Sequence, residues 1–176
     1  MICPSPHTDP AASRIATDDG SVAGSSGEQY EARLIDLPTI DSQTPDAIGA
    51  ITVLEAPPFE IKRIYWIHGA GAGEMRGHHA HRTLCQILVA VSGAFEIKAV
   101  TDTEEIRFML DTPRRGLLLG PGLWRTICAL KENSVLMVAA SATFNEADYI
   151  RDFDAFLDFR KDLREMRRNI GGIDQR

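Results

Sequence analysis

Four of the five histidines in this 176-residue chain fall between His68 and His81, three of them within Arg76-Gly77-His78-His79-Ala80-His81. Imidazole titrates nearer neutrality than other side chains, so two of them facing one space can take up and return protons, or ligate a metal. On a β-strand side chains alternate, which puts His79 and His81 on one face and His78 with Ala80 on the other. Such a pair also occurs as hydrogen-bonded filling of an ordinary core, and the spacing alone leaves these uses open. Further along, Trp124 either stacks on a planar ring or fills a barrel mouth, and its neighbour Arg125 offers a permanent cation. Cys85, set among Leu84, Ile87 and Leu88, reads as a small buried hydrophobe and not as a nucleophile.

The elements that must position these groups read as strands. Short apolar runs alternate with turn residues: Ala32–Leu37, Ala50–Leu54, Ile61–Ile67, Leu84–Val91, Ala94–Val100, Ile106–Leu110, Gly116–Leu119, Arg125–Leu130 and Ser134–Ala140. Many short strands in series predict an all-β barrel or jelly roll. Ser92-Gly93, Thr101-Asp102 and Lys131-Glu132-Asn133 are expected to close hairpins between successive strands. Only the end changes period: Asp152 is placed to cap a helix in which Phe153, Phe156, Leu157 and Leu163 recur at helical spacing. Phe153, Phe156 and Phe159 are expected to dock that helix, while Arg164, Arg167 and Arg168 favour its C-terminal dipole as a solvated face. Residues 1–28, rich in Ser, Gly, Ala, Pro and Asp, cannot bury enough surface to offset ordering entropy, and are expected to be a disordered tail. The predicted organisation is a tail over 1–28, a barrel domain over 29–151, and a C-terminal helix and tail over 152–176.

Bulk properties narrow the partners. A formal charge of −6 gives no general attraction to nucleic acid or to an anionic membrane, so an anionic ligand must meet a local arginine cluster. Cys3, Cys85 and Cys128 are odd in number and widely spaced, which matches neither a disulfide framework nor a zinc signature. The opening residues lack a basic segment followed by an apolar one, and no window approaches the run of about 20 apolar residues that a membrane span needs. A cytoplasmic protein is expected, neither exported nor inserted.

The spacing Gly73, five residues, His79-x-His81, four residues, Gln86, six residues, Gly93 resembles the first motif of the cupin barrels. Metal-binding cupins carry a glutamate at the place held here by Gln86 and a later histidine, whereas the corresponding later segment runs from Gly116 to Trp124-Arg125. Two imidazoles and a neutral amide beside a guanidinium make a poor divalent site. The histidines are therefore expected to do acid/base or hydrogen-bonding work, with no metal and no cofactor.

Within the cupins the chain resembles the sugar-nucleotide 3,4-ketoisomerases over roughly residues 45–157. Four pieces carry the likeness: Pro58-Phe59-Glu60-Ile61-Lys62-Arg63-Ile64-Tyr65, Arg76-Gly77-His78-His79-Ala80-His81, Gly116-Leu117 through Trp124, and Asp148-Tyr149-Ile150-Arg151. The resemblance implies a homodimer of jelly-roll barrels that binds a dTDP-linked 4-keto-6-deoxyhexose and moves its carbonyl from C4 to C3 through an enediol. It implies His79 as the base, with His81 and Tyr65 supplying a hydrogen bond or second proton. It also implies Arg63 beside the sugar nucleotide; Arg63, Arg76 and Arg125 are expected to neutralise the diphosphate, and Gln86 and Trp124 are further expected substrate-binding residues. A 3,5-epimerase of dTDP-4-ketohexoses and a non-catalytic sugar-nucleotide-binding cupin are the alternatives. Ile48 in Asp46-Ala47-Ile48-Gly49 departs from the family's Asp-x-Arg-Gly.

Overall fold

The structure, a computed structural model, describes residues 13–15, 32–42 and 49–171, with side chains described for 32–42 and 49–166. The chain forms β1 (Ser13–Ile15), β2 (Ala32–Asp36), β3 (Thr39–Asp41), β4 (Ala50–Thr52), β5 (Arg63–Ile67), β6 (Met75–His81) and β7 (Gln86–Ser92). It continues with β8 (Phe95–Val100), β9 (Glu105–Leu110), β10 (Arg115–Leu119), β11 (Trp124–Ala129), β12 (Val135–Ala140), β13 (Tyr149–Ile150) and one helix, α1 (Phe153–Gly171). One sheet has the order β1-β9-β8-β11-β6-β13, a second β2-β10-β7-β12-β5, and β3 pairs with β4. This is the jelly-roll barrel expected from the strand rhythm.

Alternation along the strands builds the interior. Phe95, Ile97, Phe108, Leu110, Leu117, Leu119, Leu136 and Val138 pack between the two sheets as one buried cluster. Each such side chain contributes roughly 1.5–3 kcal/mol on leaving water. β7 is covered on both faces: Leu88 and Ala90 enter that cluster, whereas Ile87 and Val89 pack beneath Leu54, Phe59 and Ile61. Outside the first sheet, Ala80 of β6 and Trp124 of β11 meet Phe156, with Phe153 and Phe159 beside them. The helix is held there by its aromatic face, and its start is capped as expected, Ala155 N–H donating to Asp152 Oδ1 at 2.8 Å.

Several expectations need correction. Only Thr101-Asp102 closes a hairpin, between paired β8 and β9. Ser92-Gly93 and Lys131-Glu132-Asn133 instead carry the chain from one sheet to the other, because β7 and β12 belong to one sheet and β8 and β11 to the other. Ser13–Ile15, placed by composition in a disordered tail, runs parallel to β9; pairing through the backbone needs no apolar side chains. Residues 1–12 and 16–28 of that tail, with Cys3, Asp46 and Ile48, lie outside the described residues, as do the side chains of Arg167 and Arg168. Cys85 is a free thiol, whereas Cys128 is disulfide-bonded, which the wide cysteine spacing did not signal.

The histidine strand contains a bulge. Arg125 pairs with His79 but Thr126 pairs with Gly77, so His78 is the extra residue. Gly77 and His78 both take positive φ, 94° and 54°. A Cβ at Gly77 would lie 2.8 Å from the carbonyl oxygen of Arg125, so this position requires glycine both for its φ and for the close approach. Gly77→Ala is therefore expected to cost about 2 kcal/mol or more, from left-handed strain plus the clash. Chemical denaturation checks this, and a midpoint unchanged from the parent would contradict it.

Candidate active site

Five strands converge on a cavity between the sheets, lined by Tyr65 and Ile67 of β5, Gly77 and His79 of β6, Gln86 and Leu88 of β7, Arg125 and Ile127 of β11, and Val138 of β12. Period-2 alternation sets its polarity. Ile67, Leu88 and Ile127 line it two residues beyond Tyr65, Gln86 and Arg125 on the same strands, so polar groups gather at one end of an otherwise apolar interior. A second, smaller pocket lies beside it, lined among others by Arg63, His81, Thr83, Asn145, Asp148 and Tyr149. The rings of His79 and His81 meet edge to face at 4.9 Å, and Tyr149 contacts both, at 4.9 and 4.2 Å.

His79 Nδ1 lies 3.0 Å from the carbonyl oxygen of Gly77. A carbonyl only accepts, so Nδ1 carries the proton and Nε2 keeps its lone pair. Burial, followed by the Arg125 guanidinium, lowers the pKa of His79 to about 4, which keeps the ring neutral at pH 7. The bulge at Gly77 thus does two things: it aims His79 inward and supplies the acceptor that sets its tautomer.

Arg125 is 2% exposed, and Nη1 and Nη2 are buried without a hydrogen-bond partner. Burial lowers its pKa to about 10, so it stays charged at neutral pH. An unpartnered buried guanidinium is costly, and a ligand oxygen bearing negative charge would offset that cost. Gln86 Nε2 donates to Tyr65 Oη at 2.8 Å, which occupies a lone pair and leaves the phenolic proton to be given elsewhere. Burial raises the Tyr65 pKa, so that proton is present at neutral pH. The Arg63 guanidinium stands 5.0 Å from the Tyr65 ring centroid and its Nε is buried without a partner.

Of the residues singled out in the sequence, His79, Tyr65, Gln86 and Arg125 share the first cavity, and His81 and Arg63 the adjoining pocket. Two are not brought in. Trp124 precedes Arg125 on β11 and so faces the other way, packing on Phe153 at 5.1 Å and Phe156 at 5.7 Å under the helix. Arg76 is exposed and absent from both cavity linings. In exchange, the structure adds Asp148, whose Oδ2 lies 2.8 Å from His81 Nδ1, and Tyr149. Both stand in the piece Asp148-Tyr149-Ile150-Arg151, but no local spacing ties Asp148 to a histidine 67 residues earlier.

The family described as FdtA: WxcM-like, C-terminal matches residues 30–161. The TDP-4-oxo-6-deoxy-alpha-D-glucose-3,4-oxoisomerase of Aneurinibacillus thermoaerophilus is 37% identical over 116 residues, 63% of this chain and 82% of that protein. Among solved structures, a histidine-to-asparagine variant of the 3,4-ketoisomerase QdtA from Thermoanaerobacterium thermosaccharolyticum, in complex with TDP-4-keto-6-deoxyglucose, superposes with TM-score 0.70 at 34% identity. That match covers 74% of this chain and 94% of the other. The WlaRB TDP-quinovose 3,4-ketoisomerase of Campylobacter jejuni gives TM-score 0.67 at 32% identity, covering 72% and 97%.

Proposed function

Since the chain belongs to the FdtA family of WxcM-like C-terminal domains, we propose that it isomerises a dTDP-linked 4-keto-6-deoxyhexose to the 3-keto sugar through an enediol. The observation that carries this reading is a neutral imidazole with a free Nε2, His79, in a cavity it shares with a phenolic hydroxyl and an unpartnered guanidinium. Moving a ketone by one carbon needs a base that takes a proton from C3 and returns one to C4, and donors that hold the oxygen on which charge develops. His79 is the base. Tyr65 and Arg125 stabilise the enediolate oxygen, with Gln86 holding Tyr65 in orientation. His81 is the second proton-transfer group, handling the hydroxyl protons, and Arg63 neutralises part of the diphosphate. No metal enters this proposal, since two imidazoles and a neutral amide beside a guanidinium make a poor divalent site.

The substrate assignment is supported by the three relatives, each a 3,4-isomerase of a thymidine-diphosphate sugar by its name. Product analysis tests it. Incubation with dTDP-4-keto-6-deoxyglucose is expected to give a ketone at C3 with C5 unchanged. Inversion at C5 would point to an epimerase, and saturable binding without turnover to a binding cupin. A homodimer belongs to the same proposal: Ile64 and Trp66, 50% and 58% exposed, lie on the edge strand β5, and a strand edge of this kind is usually covered. Among the described residues no helix is long and apolar enough to cross a membrane.

The lowered pKa of His79 sets a pH dependence. Unfolded imidazole protonates near 6.5, but folded His79 does so only at about 4. The active neutral base therefore persists as pH falls through 6.5, and the acid limb of kcat/KM is expected close to pH 4. By linkage, the stability associated with this neutral ring is present above pH 6.5 and is lost as pH falls toward 4. A rate profile of the free enzyme checks this; an acid limb at 6.5 or above would contradict it.

A further inference from the structure

His81 is almost fully buried, 1% exposed, and its two ring nitrogens have opposite surroundings. Nδ1 lies 2.8 Å from Asp148 Oδ2, whereas Nε2 is buried without a partner. The carboxylate is itself held: Oδ1 accepts from the Thr83 backbone N–H at 2.8 Å and from the Thr83 hydroxyl at 2.7 Å. The backbone oxygen of Asp148 accepts from Arg82 N–H at 2.9 Å. Those contacts tie the turn before β13 to the end of β6, where Tyr149 pairs with His81. The charged and titratable groups around His81 are Asp148, His79, Tyr149 and Arg63.

An ionised carboxylate can only accept, so Nδ1 must donate, and exchange of a proton is confined to Nε2. A buried ring nitrogen left unsatisfied costs free energy, and such an atom is expected where a ligand completes it. A carboxylate on the far nitrogen also stabilises the imidazolium that forms when Nε2 is protonated.

We propose that Asp148 is a positioning residue that fixes His81 in the Nδ1–H form and supports its imidazolium, so that Nε2 takes a proton from O3 and gives it to O4. This rests on the isomerase reading given above. The atoms balance. The C3–H bond breaks and its proton goes to His79 Nε2; the electron pair forms C3=C4, and the C4 carbonyl pair moves to O4. His81 Nε2 takes the O3–H proton and passes it to O4, C3=O forms, and the C3=C4 pair takes a proton from His79 at C4. Both histidines end as they began, with no oxidant or reductant consumed.

Asp148→Asn provides the test. Thr83 N–H can only donate, so the amide oxygen stays with Thr83 and the NH2 turns to His81 Nδ1, which must then accept. The proton is moved to Nε2. The expected results are a kcat lower by on the order of 10²-fold or more, a KM within about threefold and a melting temperature within a few degrees, the size expected when an orienting carboxylate is lost. Ring 15N NMR of His81, which needs no substrate, is expected to show Nδ1–H in the parent and Nε2–H in the variant. Should the variant not fold, a parent ring found as Nε2–H overturns the proposal by itself. A changed tautomer with unchanged kcat also overturns it. If the parent turns over no keto sugar, the isomerase reading fails, and the tautomer measurement separates that failure from this one.

Discussion

His79→Asn is expected to lower turnover by on the order of 10³-fold or more, with the melting temperature changed by only a few degrees. The loss follows from chemistry and not from packing. Asparagine can keep a donor near the Gly77 carbonyl, which His79 Nδ1 now contacts at 3.0 Å, but it has no basic atom to replace Nε2. General base catalysis contributes typically 10² to 10⁴, and no other neutral imidazole lines the first cavity among the described residues. His81 cannot substitute, since its ring is held by Asp148 in the adjoining pocket. Steady-state kinetics on the keto sugar, with a thermal melt as control, check the prediction. A variant retaining a tenth of parental turnover would mean that the base lies elsewhere.

Arg125→Met is expected to act in opposite directions on activity and stability. The guanidinium is 2% exposed with both Nη atoms unpartnered, so it is an uncompensated buried charge. Methionine fills much of the same volume without the charge, and replacing uncompensated buried charge by an apolar side chain is commonly stabilising by about 1–4 kcal/mol. A rise in melting temperature of several degrees follows. In the reaction the same change removes the strongest donor to the developing oxyanion, and kcat/KM is expected to fall by roughly 10²–10³-fold. Loss of His79's cationic neighbour also shifts the acid limb upward, because Arg125 is the second cause of that ring's low pKa. Calorimetry and kcat/KM on one preparation read both effects. A less stable variant with unchanged kcat/KM would show that Arg125 serves the fold.

What could be read from the sequence divides along physical lines. Strand parity put His79 with His81 on one face, and the cupin-like spacing and the resemblance added Gln86 and Arg125; the structure sets His79, Gln86 and Arg125 in one cavity and His81 in the adjoining pocket. The same rule, applied to neighbours, separates Trp124 from Arg125; the structure puts Trp124 in the helix-docking cluster with Ala80. Assigning both members of the Trp124-Arg125 pair to the site overlooked that adjacent strand residues face opposite ways. Asp148 is a different case. Its contact with His81 spans 67 residues and exists only because β13 adds to the edge of β6, a long-range pairing with no periodic signature. The bulge at His78 is likewise a product of two strands, although Gly77 in the middle of a strand pattern is the local sign of it. Ser92-Gly93 misled for a related reason: a turn sequence shows that the chain reverses, but not whether the next strand joins the same sheet.

The central claim, that His79 moves a proton between neighbouring carbons of a keto sugar, is tested most directly by incubating metal-stripped protein with dTDP-4-keto-6-deoxyglucose in deuterated buffer and following the sugar by NMR. A 3-keto product carrying deuterium at C4 is expected, absent with His79→Asn. Saturable binding with neither exchange nor product, or exchange undiminished in the variant, would contradict it.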